Sequence, residues 1–160
     1  MLAKIRPCLT SKSSLQLYQS FVSSILTYCG LVNSFSCNSR RRVVQRLENR
    51  AKSIIAGNRQ SEVKITSFET VDFQKLCTFT FKCLNDNLCH NFQNYFEQIK
   101  DSRTRSDNSS IRLPRVRLEV AKKGCYYRGG LSFNRLPVAV RKSSTLSSFS
   151  IGLRKFLNLL

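Results

Sequence analysis

Between Ser39 and Ala56 the residues Val43, Val44, Leu47, Ala51, Ile54 and Ile55 recur at intervals of three and four, and Gly57 stands where a C-terminal cap belongs. A strand would turn such a set to both of its faces, so the segment must be a helix with one apolar side. The same period recurs elsewhere. Thr10 or Ser11 caps a helix predicted to run to about Cys29, with Leu15, Tyr18, Val22, Ile25 and Leu26 on its apolar side and Gly30 ending it. Another, from about Glu69 to Asn87, presents Phe73, Leu76, Cys77, Thr80 and Leu84, and a short helix covers Asn91–Ile99.

The pattern changes after that. Asp101–Ser110 is polar and lacks apolar periodicity, which predicts an exposed linker. Beyond it Val116, Leu118 and Val120 alternate with polar residues, and Gly124 separates them from Cys125–Tyr127, the pattern of a short antiparallel pair. Pro137 blocks helix continuation. Ser143, Ser144 and Thr145 can then cap a terminal helix with Leu146, Phe149, Leu153, Phe156 and Leu157 on its apolar side. The expected class is mainly α, a small helical bundle followed by a short β-hairpin and a C-terminal helix. Residues 1–100 make a helical lobe, 101–112 a linker or loop, and 113–160 a basic C-terminal lobe.

Charge constrains the partner. The 160 residues carry 27 Lys and Arg against 9 Asp and Glu, a net charge of +18. Such a chain repels itself unless a polyanion neutralises it, and nucleic acid is the natural candidate. A hydrophobic content of 41% and 16 aromatic residues exceed what a disordered basic tail carries. The seven cysteines form an odd set without tight spacing, which reads as reduced thiols in an intracellular protein, nuclear or cytoplasmic and not secreted. The longest apolar run, Phe21–Val32, is interrupted by Ser23, Ser24 and Thr27 and is too short to span a bilayer, so no membrane partner is expected.

Candidate contacts with nucleic acid fall in two sets. Arg42, Arg46 and Arg50 recur every four residues and line one edge of their helix, where Glu48 is the only acid. The second set comprises Arg103, Arg105, Arg112, Arg115, Arg117, Lys122, Lys123 and Arg128, interleaved with Tyr126 and Tyr127. Aromatic and basic residues together can stack bases and track a backbone, although one tyrosine can equally pack in a core while the arginines decorate the surface. Such contacts confer little sequence preference.

Catalysis finds no support in the residues. Nucleotidyl transfer needs clustered carboxylates to hold two metal ions, whereas the nine carboxylates here are scattered singly. Gly129-Gly130 fits a tight turn as well as any phosphate loop. Cys83, Cys89 and His90 lack zinc-ligand spacing, and no metal or cofactor is expected. Asp86 and His90, one helical turn apart, read as a local pair or a helix-end interaction rather than a catalytic dyad.

Several segments resemble the C-terminal part of LINE-type, non-LTR retrotransposon reverse transcriptases. Tyr127-Arg128-Gly129, Phe133-Asn134-Arg135-Leu136-Pro137, Arg141 and Phe149 resemble that family's tail, with Phe133 where the family often has Trp. Leu17-Tyr18, Ser20, Ile25, Tyr28 and Cys29 are similar to the helix that follows the palm. Leu47-Glu48-Asn49-Arg50-Ala51, with Ile54, Ile55 and Gly57, resembles a common Leu-Gln-Asn-Arg-Ala stretch; Asn33 occupies another frequent Trp position. Leu84-Asn85-Asp86, Tyr95-Phe96, Thr104-Arg105 and Pro114–Arg117 continue the similarity.

The resemblance implies a thumb-like fragment, derived from an RNA-directed DNA polymerase, that holds template and primer. Leu2–Leu9 resembles a segment lying after the polymerase carboxylates, so the palm would reside on another chain and this one would not polymerise alone. Two other readings fit the residues: an inert, marginally stable transposon remnant, and a basic domain for acidic partners.

Overall fold

The computed structural model describes residues 4, 6–28, 38–56, 65–85, 92, 94–99 and 108–158. The protein is mainly helical and divides into two compact units, Met1–Val71 and Asp72–Leu160. Residues 108–112, the described end of the expected linker, belong to the second unit.

In the first unit a short 3-10 turn, Arg6–Cys8, precedes α1 (Ser11–Leu17), a π-helical stretch Tyr18–Ser23 and α2 (Ser24–Thr27). Thr10 caps α1, its hydroxyl accepting from the Ser13 N–H at 3.1 Å. Ser14, Ser20 and Ser24 each donate a hydroxyl to the carbonyl four residues back, the bonding that loosens and bends helices. The wider π turn rotates the later residues out of the stripe expected of Leu15, Tyr18 and Val22. Tyr18, where the π stretch begins, is buried as expected, whereas Ile25 beyond it, also expected inside, is 74% exposed.

Helix α3 (Asn38–Ala56) has the sequence-expected limits to within one residue. Its inner side is narrower than expected. Ala51 and Ile55 pack with Tyr18, supported by Leu15, Val22 and Ile65, while Val43 and Leu47 lie on the flank, each about half exposed.

The second unit is built on α4 (Phe68–Leu84), whose first turn contains the division between the units. Ser67 caps it by accepting from the Thr70 N–H at 3.2 Å. Leu76, Cys77, Thr80, Phe81 and Cys83 are buried over a broad arc, so both flanks of this helix are covered. The described residues of the expected short helix Asn91–Ile99 do not form one. Asn94 takes a left-handed φ of 63°, and Gln98 joins Ile111 in an isolated antiparallel bridge, with the Ile99 N–H donating to Ser110 O at 2.9 Å and the Arg112 N–H to Glu97 O at 2.8 Å. The turn folds Phe92, Tyr95 and Phe96 against Phe79 edge to face.

The expected β-hairpin is also absent among the described residues. Residues 112–117 run without regular structure into α5 (Glu119–Lys122), and α6 (Cys125–Asn134) follows. Val116, Leu118 and Val120 alternate in sequence, but Leu118 and Val120 are 72% and 77% exposed, so no buried face rewards pairing. Gly129 and Gly130, read as a turn, sit inside α6. A Cβ on Gly129 would lie 2.8 Å from Thr80 Oγ1 and 3.0 Å from Phe96 Cζ, and one on Gly130 2.8 Å from Leu113 Cδ2. The pair lets α6 approach its neighbours more closely than any side chain would allow.

Asn134 ends α6 as a two-way clamp, accepting from the Ile111 N–H at 2.8 Å and donating to Ile111 O at 2.9 Å. Ile111, in the expected linker, is thereby held in the core at 2% exposure. After Pro137 come α7 (Val138–Arg141) and α8 (Leu146–Asn158). Thr145 caps α8, and Phe149 stacks on Phe81 with centroids 4.3 Å apart, while Phe133 lies 6.1 Å from it. The conspicuous tail residues Gly129, Phe133, Asn134, Leu136 and Phe149 thus hold this unit together.

Candidate nucleic-acid interface

In the first unit Arg42, Arg46 and Arg50 are all exposed on α3. Four helical residues rise by about 6 Å, so the three guanidinium groups form a ladder of roughly 12 Å along the axis. Glu48, the helix's only acid, does not face them. It is 6% exposed, and its Oε1 accepts from the Phe68 N–H at 2.6 Å, satisfying a donor at the start of α4. None of the three arginines forms an ion pair among the described residues, so their charge stays directed at solvent. A cavity of about 70 Å³ beside the Glu48 bond is lined by Arg41, Val44, Gln45, Glu48, Ser67, Phe68 and Glu69. It has room for a few waters and none for a nucleotide.

The second basic set does not act as one. Arg103 and Arg105 lie outside the described residues. Arg115 and Arg117 are exposed on the irregular run before α5. Lys122 is paired with Glu119 at 2.6 Å, and this bond holds the Glu119 carboxyl below and the Lys122 ammonium above their usual ranges. Lys123 is half-buried, and Arg112 pairs with Glu97 at 3.2 Å on the surface. Both surface pairs are weak and readily exchanged for phosphate.

Arg128 is different. Its Nη2 donates to Asp72 Oδ2 at 2.9 Å, with the Arg128 side chain 21% and the Asp72 side chain 4% exposed. Fifty-six residues separate the partners, so no local pattern in the sequence signals the pair. Of the interleaved tyrosines, Tyr126 is committed to the fold, stacked on Phe96 with centroids 5.3 Å apart and edge-on to Tyr95 at 5.1 Å. Tyr127 is half-buried.

Thiol chemistry is suppressed at the three described cysteines of the second unit, whereas Cys8 in the first is exposed. Burial raises the Cys77 and Cys125 thiols, and burial together with the Cys125 thiol pushes Cys83 up to about 11, so these stay protonated and poorly nucleophilic at neutral pH. Among the described residues no three His, Cys, Asp or Glu side chains gather into a metal-binding group; Asp86, Cys89 and His90 lie outside them. No described helix is long and apolar enough to cross a membrane. The chain matches no family model, no curated protein and no solved structure.

Proposed function

We propose that this chain is a thumb-like and tail fragment of a LINE-type reverse transcriptase that grips nucleic-acid backbone without sequence preference. The observation that carries the reading is the Arg42, Arg46 and Arg50 ladder, left un-neutralised because Glu48 is turned inward to cap α4. Arg115, Arg117 and Lys123, with Lys122 released from Glu119, extend the basic surface of the second unit, to which Arg103 and Arg105 add charge in the sequence. Arg128 is withdrawn from the interface by its pairing with Asp72. With their carboxylates scattered, these 160 residues hold nucleic acid and do not polymerise by themselves; the palm of such an enzyme supplies that chemistry.

The test is a salt titration of the folded chain against labelled RNA, single-stranded DNA and an RNA–DNA duplex. About six phosphate contacts should cost on the order of 10³-fold in affinity between 50 and 200 mM salt. A folded sample that ignores all three ligands refutes the reading. An unfolded or aggregating sample identifies an inert remnant instead.

A further inference from the structure

The cavity of about 70 Å³ between α3 and the start of α4 gathers acids in a chain that is short of them. Residues 1–71 contain three carboxylates, Glu48, Glu62 and Glu69, against 11 Lys and Arg, and both Glu48 and Glu69 line this space. Glu48 is 6% exposed; its Oε1 accepts from the Phe68 N–H, and its Oε2 has no hydrogen-bond partner among the described residues. A buried carboxylate oxygen loses its hydration without compensation unless something in the cavity bonds to it. Glu69 likewise forms no hydrogen bond or ion pair among the described residues. Arg41 lines the same cavity and pairs with neither acid, so the carboxylates outweigh it by one charge.

We infer that this cavity is a site for a divalent cation, Mg²⁺, held by the carboxylates of Glu48 and Glu69 and completed by water. The donors select the ion. Glu48 offers one oxygen, because the other is committed to Phe68, and Gln45 can add an amide oxygen. The Ser67 hydroxyl is already engaged with the Thr70 N–H and the Thr70 hydroxyl. Ca²⁺ takes about six to eight oxygens and often a bidentate carboxylate, whereas Mg²⁺ is bound through one or two carboxylates and keeps several waters, for which the cavity has room. The lining contains no His or Cys, the ligands that favour zinc. Gln45 and Glu69 are exposed, so a hydrated ion reaches the site from solvent. Once bound, it ties α3 to the first turn of α4 beside the Glu48–Phe68 bond. A single ion on two carboxylates is a structural site and does not make the two-metal arrangement of nucleotidyl transfer.

The experiment melts full-length wild type, E48Q, E69Q and R41Q without nucleic acid in rising MgCl₂ or CaCl₂, against NaCl of matched ionic strength. Wild-type Tm should rise with Mg²⁺ beyond its response to NaCl, by a similar increment for each tenfold increase above the Kd. E48Q keeps an acceptor for the Phe68 N–H and E69Q alters an exposed side chain, so both should fold, and both should lose the rise. R41Q removes the opposing charge and should bring the rise on at lower Mg²⁺. If E48Q fails to fold, E69Q and R41Q decide. No Mg²⁺-specific rise in wild type would mean a cavity filled by water alone, and an equal rise in every variant would place the ion elsewhere. A larger wild-type response to Ca²⁺ than to Mg²⁺ would reject the choice of ion. Each of these results overturns the inference and leaves the nucleic-acid reading to its own test.

Discussion

Arg128→Ala separates a structural from a ligand-binding role for the arginine that sequence reasoning placed on the interface. Asp72 is 4% exposed, and Arg128 meets its Oδ2 at 2.9 Å; Asp72 Oδ1 has no hydrogen-bond partner among the described residues. Removing the guanidinium leaves a buried carboxylate without its counter-charge. Breaking a buried pair in this way costs about 3–5 kcal/mol, and the residual exposure of Arg128 places the expected loss near about 3 kcal/mol. Urea unfolding of wild type, R128A, D72L and D72L/R128M measures it. The double variant, which replaces both charges by apolar groups, should recover most of the stability lost in R128A. In parallel, the salt slope of nucleic-acid binding should not change in R128A, whereas loss of a phosphate contact would lower it by about 0.9 on B-DNA. A destabilisation below about 1 kcal/mol together with a flatter slope would refute the internal assignment.

Replacing Arg42, Arg46 and Arg50 together by alanine should lower the salt slope by about 2–3 with the fold intact, and an unchanged slope removes α3 from the interface. Gly129→Ala gains about 1 kcal/mol in helix propensity but overpacks against Thr80 and Phe96 by about 1–3 kcal/mol, so net destabilisation is expected in thermal melts. A more stable variant would mean that Thr80 moves aside freely. Cys83 has its thiol raised from 9.0 to about 11, so the folded state holds the proton more tightly than the unfolded chain. Its contribution is fully present below pH 9.0 and is lost as pH rises to about 11; Cys83→Ala should flatten that part of the stability–pH curve, and an unaltered curve contradicts the assigned burial.

The helical plan was legible because it rests on local chemistry. The 3.6-residue period and the caps Thr10 and Thr145 act within a few residues, and α3, α4 and α8 form close to where those signals place them. The hairpin expectation failed for an equally physical reason: alternation describes what a strand needs, and Leu118 and Val120 find no second surface to be buried against. Ile25 was placed inside by an ideal helical period, which the π turn at Tyr18–Ser23 then shifted.

The candidate interface divides along the same line. Net charge and the four-residue spacing of Arg42, Arg46 and Arg50 follow from the sequence alone, because charge is additive and a helix fixes which residues share an edge. Which charges stay available was decided by tertiary contacts. Glu48 turns inward to meet the Phe68 N–H twenty residues away, and Asp72 captures Arg128 across fifty-six. A buried carboxylate takes whichever donor the packing brings within reach, and that choice exists only once the chain has folded.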